Sequence, residues 1–130
     1  GQPRKGEAMG YRGIRGAITV DVNSRDEILA ETRTLLRAIV EANGIQVADL
    51  ASVIFTATAD LDAVYPAVAA RAMGWTAVPL LCMQEMAVQG SLPQCIRVLM
   101  HWNTDREPSD VRHVYLKGAR ALRPDLQGGG

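Results

Sequence analysis

SRDEILAETRTLLRAIVEANG, residues 24–44, decides how the chain folds. Ser24 followed three residues later by Glu27 has the form of a capping box, in which each side chain satisfies an amide that a helix start leaves unpaired. Ile28, Leu29, Thr32, Leu35, Leu36, Ile39 and Val40 then recur with helical period. Asn43-Gly44 supplies a left-handed terminator. The stretch predicts one long amphipathic helix, whose apolar face needs a surface to cover.

The flanking sequence supplies that surface as strands. Upstream, Tyr11 to Val22 mixes β-branched residues with Gly13 and Gly16, a strand where backbone or ligand must approach closely, and Arg15 lies between the glycines. Downstream, SVIFTAT at 52–58 predicts a buried strand, and the alanine-rich run 65–73 a second helix that starts near Pro66 and stops at Gly74. Residues 77–82 read as a strand, Gln89-Gly90-Ser91 as a turn, and IRVLMHWN at 96–103 as an alternating strand. A loop with Pro108 spans 105–109, and 113–116 and 119–122 read as two short final strands with a bend at Gly118.

Strand, helix, strand, helix and then several strands predict an α+β fold, a mixed β-sheet with helices packed on one face. The second face then needs cover, and in a chain with one phenylalanine and two tryptophans, self-association into a small symmetric oligomer supplies it. Residues 1–10 are expected to be a flexible arm or a cloning remnant, 11–126 a single domain and 127–130 a flexible tail.

A chain of 130 residues, 48% hydrophobic and 22% charged, suits one globular domain. Its 14 basic and 14 acidic side chains cancel, so nothing in the balance favours nucleic acid or an acidic membrane surface as partner. No apolar run reaches the roughly 20 residues that span a bilayer, and residues 1–10 lack the apolar core of a secretion signal. A cytoplasmic location is expected. The positive charge is almost all arginine, with only Lys5 and Lys117 as lysines, and arginine suits a bidentate grip on carboxylates. Cys82 and Cys95 are too few for a disulfide scaffold, and their spacing to His101 and His113 matches no common zinc pattern, so no metal is expected.

The familiar catalytic signatures, a glycine-rich phosphate loop, G-x-S-x-G and H-E-x-x-H, do not occur. Arginines do stand within apolar or glycine-rich strand patterns: Arg15 in RGIRGA, Arg97 in CIRVLM and Arg123 in LRPDL. One such arginine is more often an outward-facing strand residue, but three shift the reading toward an anion pocket. In CMQEM, Cys82 alone reads as a small core residue and Glu85 as a surface or paired carboxylate. His101 and His113 read as strand residues with local hydrogen bonds, and Tyr115 in RHVYL fits core packing and ligand contact equally.

RGIRGAITV at 12–20, TADLDAVYPA at 58–67, VPLLCMQEM at 78–86, SLPQCIRVL at 91–99, RHVYL at 112–116 and LRPDL at 122–126, in this order, resemble the small single-domain chorismate mutases of the Bacillus type. That family is distinct from the all-helical chorismate mutases. The resemblance implies an isomerase that converts chorismate to prephenate by a [3,3] rearrangement in phenylalanine and tyrosine biosynthesis, without cofactor, metal or covalent intermediate. It also implies a homotrimer, a trimeric pseudo-barrel with each active site between adjacent subunits.

By position, Arg97 looks like the key catalytic residue at the ether oxygen, and Arg15 like the arginine that binds a substrate carboxylate with help from Tyr115. Glu85 and the Cys82 thiol resemble the groups that hydrogen-bond the ring hydroxyl. Tyr65 and Arg71 match residues contributed across the interface, and Leu122 and Arg123 match the segment that closes over the pocket. Val68 stands where some members carry lysine, removing one peripheral positive charge. The rival readings are a non-catalytic trimeric ligand-binding protein of the same fold and another small enzyme on a similar scaffold, such as an imine deaminase. A purely structural descendant has no physical need to keep Arg15, Glu85, Arg97 and Tyr115 together, because desolvating polar groups costs energy.

Overall fold

The computed structural model describes residues 10–123. The expected arm (apart from Gly10), the expected tail and the last three residues of LRPDL lie outside the described residues.

The helix α1 runs over Arg25–Asn43, with half of the expected capping box formed, since the Ser24 amide bonds the Val22 carbonyl at 2.8 Å rather than the Glu27 side chain. Ser24 Oγ accepts from the Glu27 amide at 3.2 Å, and Gly44, at φ 65°, returns its amide to the Val40 carbonyl. Its apolar stripe, Ile28, Leu35, Leu36 and Ile39, is wholly buried. The sheet has five strands, β1 (Tyr11–Thr19), β2 (Leu50–Ala57), β3 (Leu80–Gln84), β4 (Cys95–Asn103) and β5 (Val114–Leu116), in the order β3-β2-β4-β1-β5. The inner pairs β1–β4 and β2–β4 are antiparallel, and the outer pairs β2–β3 and β1–β5 are parallel. A second helix, α2 (Ala67–Ala72), follows Pro66.

Alternation along the strands divides the sheet. Ile14 and Ile18, Val53 and Phe55, and Ile96, Val98, Met100 and Trp102 join the residues of α1 and α2 in one core, so both α-helices cover one face, as expected. Gly16 lets α1 settle onto β1, since a Cβ there would lie 2.6 Å from Ile39 Cδ1. The register puts Arg15, Ala17, Ile54, Thr56, Leu81, Met83, Arg97, Leu99, His101 and Tyr115 on the opposite, helix-free face.

Two expectations need correction. The strand expected over 77–82 starts only at Leu80, because Pro79 has no amide for the ladder and contributes its carbonyl, which accepts from the Val53 amide at 3.0 Å. Residues 119–122 are not a strand but part of a 3-10 helix, Lys117–Leu122. The turn is made by Lys117, at φ 56°, whose ammonium bridges Asp21 and Glu31, while the Gly118 amide donates to Thr19 Oγ1 at 2.9 Å. Ala119 is thereby buried with Ala17, Cys95 and Tyr115, and Leu92 and Leu122 pack around them. The chain itself thus covers one end of the face left bare by the α-helices. Among the described residues, no helix is long and apolar enough to cross a membrane.

Candidate active site

Strand register lines up the polar groups on the helix-free face. Arg97 on β4 lies directly opposite Thr56 on β2 and Ala17 on β1; Thr56 in turn pairs with Met83, and Ala17 with Tyr115. Met83, Thr56, Arg97, Ala17 and Tyr115 therefore form one row across the sheet. Leu81, Ile54, Leu99 and Arg15 form the next row. Neighbouring strands lie about 4.8 Å apart, so Arg97 and Tyr115 flank Ala17 with roughly 10 Å between their backbones.

Glu85 follows β3 directly and continues its pairing, with its amide bonded to the Ala57 carbonyl at 2.9 Å. Its Oε2 accepts from Thr56 Oγ1 at 2.6 Å and lies 3.0 Å from Arg97 Nη1, whereas Oε1 receives the Met86 amide at 3.3 Å. The Thr56 hydroxyl foremost, and the Arg97 charge after it, hold the Glu85 carboxyl below the usual glutamate range against the opposing effect of burial. The carboxylate is thus ionised at neutral pH, and the guanidinium is tethered through one of its nitrogens.

Further hydrogen bonds hold the strands around the row in place. Asn43, buried at the end of α1, donates to the Ile39 and Arg112 carbonyls at 2.9 Å each and accepts from the Arg112 amide at 2.8 Å. That clamp lies just before β5 and so sets Tyr115, which is 8% exposed. The Arg15 amide donates to His113 Nδ1 at 3.0 Å, and burial followed by the Arg15 charge pushes the His113 pKa down, leaving a neutral ring able to accept. His101 pairs with Ser52 at 2.7 Å. Both histidines are thus hydrogen-bonded, but to partners far away in sequence, and His113 stands just before β5 rather than in a strand. At the head of β4, Asp60 Oδ1 accepts from Thr58 Oγ1 at 2.5 Å, Asp60 Oδ2 accepts from the Gln94 amide at 3.0 Å, and Thr58 Oγ1 accepts from the Cys95 amide at 3.0 Å.

The sequence-predicted site residues fall into two groups. Arg15, Glu85, Arg97 and Tyr115 belong to the helix-free face, and Leu122, packed on the Tyr115 cluster at the end of the 3-10 helix, joins them with Arg123 next to it. Cys82 pairs with Phe55 and takes the helix side of β3. There, burial raises its pKa more than the Ala67 backbone and the Arg71 charge lower it, so it is a neutral thiol. Tyr65, Val68 and Cys82 line a cavity of about 610 Å³ with Phe55 and Pro66, and Arg71 sits exposed on α2. Sequence reasoning missed Thr56, an ordinary β-branched strand residue until the register sets it beside Arg97. Among the described residues, no three His, Cys, Asp or Glu side chains are grouped to hold a metal ion.

Residues 11–126 match the family described as chorismate mutase type I. The chorismate mutase AroH of Thermus thermophilus is 56% identical over 117 residues, which cover 89% of this chain and 96% of that protein. The chorismate mutase AroH of Bacillus subtilis (strain 168) is 49% identical over 119 residues, 91% of this chain and 94% of that one. Among solved structures, the chorismate mutase from Clostridium thermocellum superposes with a TM-score of 0.84 at 56% identity, covering 85% of this chain and 99% of that chain.

Proposed function

The chain belongs to the chorismate mutase type I family, and we propose that it runs its reaction on the helix-free face, with Arg97 as the catalytic cation. It is an isomerase, a chorismate mutase of aromatic amino-acid biosynthesis that converts chorismate to prephenate. In this [3,3] rearrangement the ether bond breaks as a carbon-carbon bond forms, and no proton needs to move. The ether oxygen gains negative charge as its bond lengthens, so a fixed cation beside it stabilises the transition state more than the ground state.

The observation that carries this reading is the tethered guanidinium: Arg97 Nη1 stands 3.0 Å from Glu85 Oε2, which gives the planar fork a fixed direction. One preorganised donor is worth ~3 kcal/mol, whereas a millionfold acceleration needs ~8 kcal/mol. The remainder comes from holding the substrate compact. Arg15 and Tyr115 bind the side-chain carboxylate, Glu85 accepts from the ring hydroxyl, and Leu122 and Arg123 close over the pocket.

The assembly is a homotrimeric pseudo-barrel with each site between neighbours. Support comes from Leu81, 54% exposed, and Met83, 46% exposed, which leave apolar surface on the helix-free face. The separation of Tyr65 and Arg71 from Arg97 within one chain supports it too, because a second copy can bring such groups together. Cys82 and Glu85 end on opposite sides of β3, an edge strand, so a ligand seated on that edge reaches both. The site of action is the cytoplasm.

The test is to mix purified protein with chorismate and follow the loss of its absorbance together with acid conversion of the product to phenylpyruvate. Turnover that vanishes in Arg97→Ala is the expected result. Turnover undiminished by that change removes Arg97 from the mechanism.

A further inference from the structure

The two oxygens of Glu85 are not equivalent. Oε2 takes the 2.6 Å bond from Thr56 Oγ1 and faces Arg97 Nη1 at 3.0 Å, while Oε1 has only the long 3.3 Å contact from the amide of Met86. A carboxylate oxygen offers about two lone-pair sites, so Oε2 is filled by the protein and Oε1 keeps capacity for a further donor. Thr56 earns this contact from the fold: it is directly opposite Arg97 in the β2–β4 pairing and beside Met83 in the β2–β3 pairing, two residues before Glu85.

We propose that Thr56 is a positioning residue for the reaction, one that commits Glu85 Oε2 to the protein, turns Oε1 toward the substrate hydroxyl and holds Arg97 through the shared carboxylate. The inference rests on the reading of Glu85 as a substrate-binding group. Thr56 touches no substrate in this scheme; it acts through its neighbour. Without its hydroxyl the carboxyl rotates about its last torsion, a broad and nearly two-fold one, and Arg97 loses a fixed partner. Serine keeps the donor, and valine keeps the branched shape that a strand favours.

The experiment compares Thr56→Val, Thr56→Ser and Glu85→Ala with the parent enzyme, measuring kcat and KM for chorismate from about pH 3 to 9 and thermal unfolding on the same preparations. Thr56→Val is expected to lose roughly ten-fold or more in kcat/KM, the scale of a hydrogen bond to a charged group. Its acid limb should move to higher pH, because the Thr56 bond is the foremost cause of the low Glu85 pKa. Thr56→Ser should retain most of the activity and the parent pH profile. If Thr56→Val does not fold, Thr56→Ala takes its place as the variant without the hydroxyl. A variant lacking the hydroxyl that matches the parent in kcat/KM and acid limb, while Glu85→Ala is impaired, overturns the role of Thr56. Equal loss in the serine and valine variants also overturns it, since packing then explains the effect. Full activity in Glu85→Ala instead overturns the site reading beneath it.

Discussion

Thr56 and Arg97 face each other across the β2–β4 pairing, and both reach the same oxygen of Glu85. At 24% exposure, the Arg97 and Glu85 side chains are neither sealed in the core nor free in water. A surface ion pair would gain little from such contact. Here the geometry matters more than the energy, since a planar fork held at one corner has a defined direction for its other donors.

Replacing Arg97 with lysine keeps the charge and loses the fork. We expect kcat/KM for chorismate to fall by about 100-fold or more, in line with removal of one preorganised donor. Steady-state kinetics on the purified variant measure this, and near-normal turnover would assign the role to another arginine.

The pH profile should be flat through neutrality, because no general acid or base turns over. Glu85 is held low, so its charge and the stability tied to it are complete above the ordinary glutamate value, from about pH 5 upward, and are lost only as pH falls through the lower folded value. A bell-shaped kcat profile centred near pH 7 would contradict the mechanism.

His113 gives stability its own pH dependence. Its folded pKa is depressed, so the neutral ring that accepts from the Arg15 amide is fully favoured above the unfolded value of about 6.5, and its contribution declines as pH falls through the folded one. Melting temperatures should begin to drop as pH falls below about 6.5 and level off beneath the folded value, and His113→Gln should flatten this part of the curve. An unchanged slope in the variant would place the dependence elsewhere.

Cys82 is a neutral, half-buried thiol, so Cys82→Ser should keep activity within several-fold of the parent. Iodoacetamide should modify it slowly at pH 7. Complete loss of turnover with the fold intact would reopen covalent catalysis.

Asn43 satisfies three backbone groups from a fully buried position. Asn43→Ala strands the Arg112 amide and carbonyl and is expected to cost about 2–4 kcal/mol, read from denaturant unfolding. A change below ~0.5 kcal/mol would show that the clamp is dispensable.

Much of this molecule was legible because local chemistry and global fold agree. Ser24, Glu27 and Gly44 mark both ends of α1, and the alternation of IRVLMHWN marks β4. Residues 119–122 misled because Ala119 is buried without belonging to any ladder; the bond from Gly118 to Thr19 comes from the far end of the sequence. Thr56 stayed hidden for the same reason, since its value depends on a strand pairing with Arg97 that no local pattern encodes. Parity along a strand does separate Cys82 from Glu85, three residues on, so that division of faces was open to a period-two reading.

The strand order carries a cost during synthesis. β1 is made first, yet its partners β4 and β5 both belong to the last third of the described chain. At about 5–20 residues per second, the nascent β1 waits on the order of ten seconds for a neighbour, with Ile14 and Ile18 shielded meanwhile only by the earlier-made members of their core on α1, β2 and α2. Stalling the ribosome before Cys95 should therefore leave an aggregation-prone fragment, and release past Leu116 should rescue it.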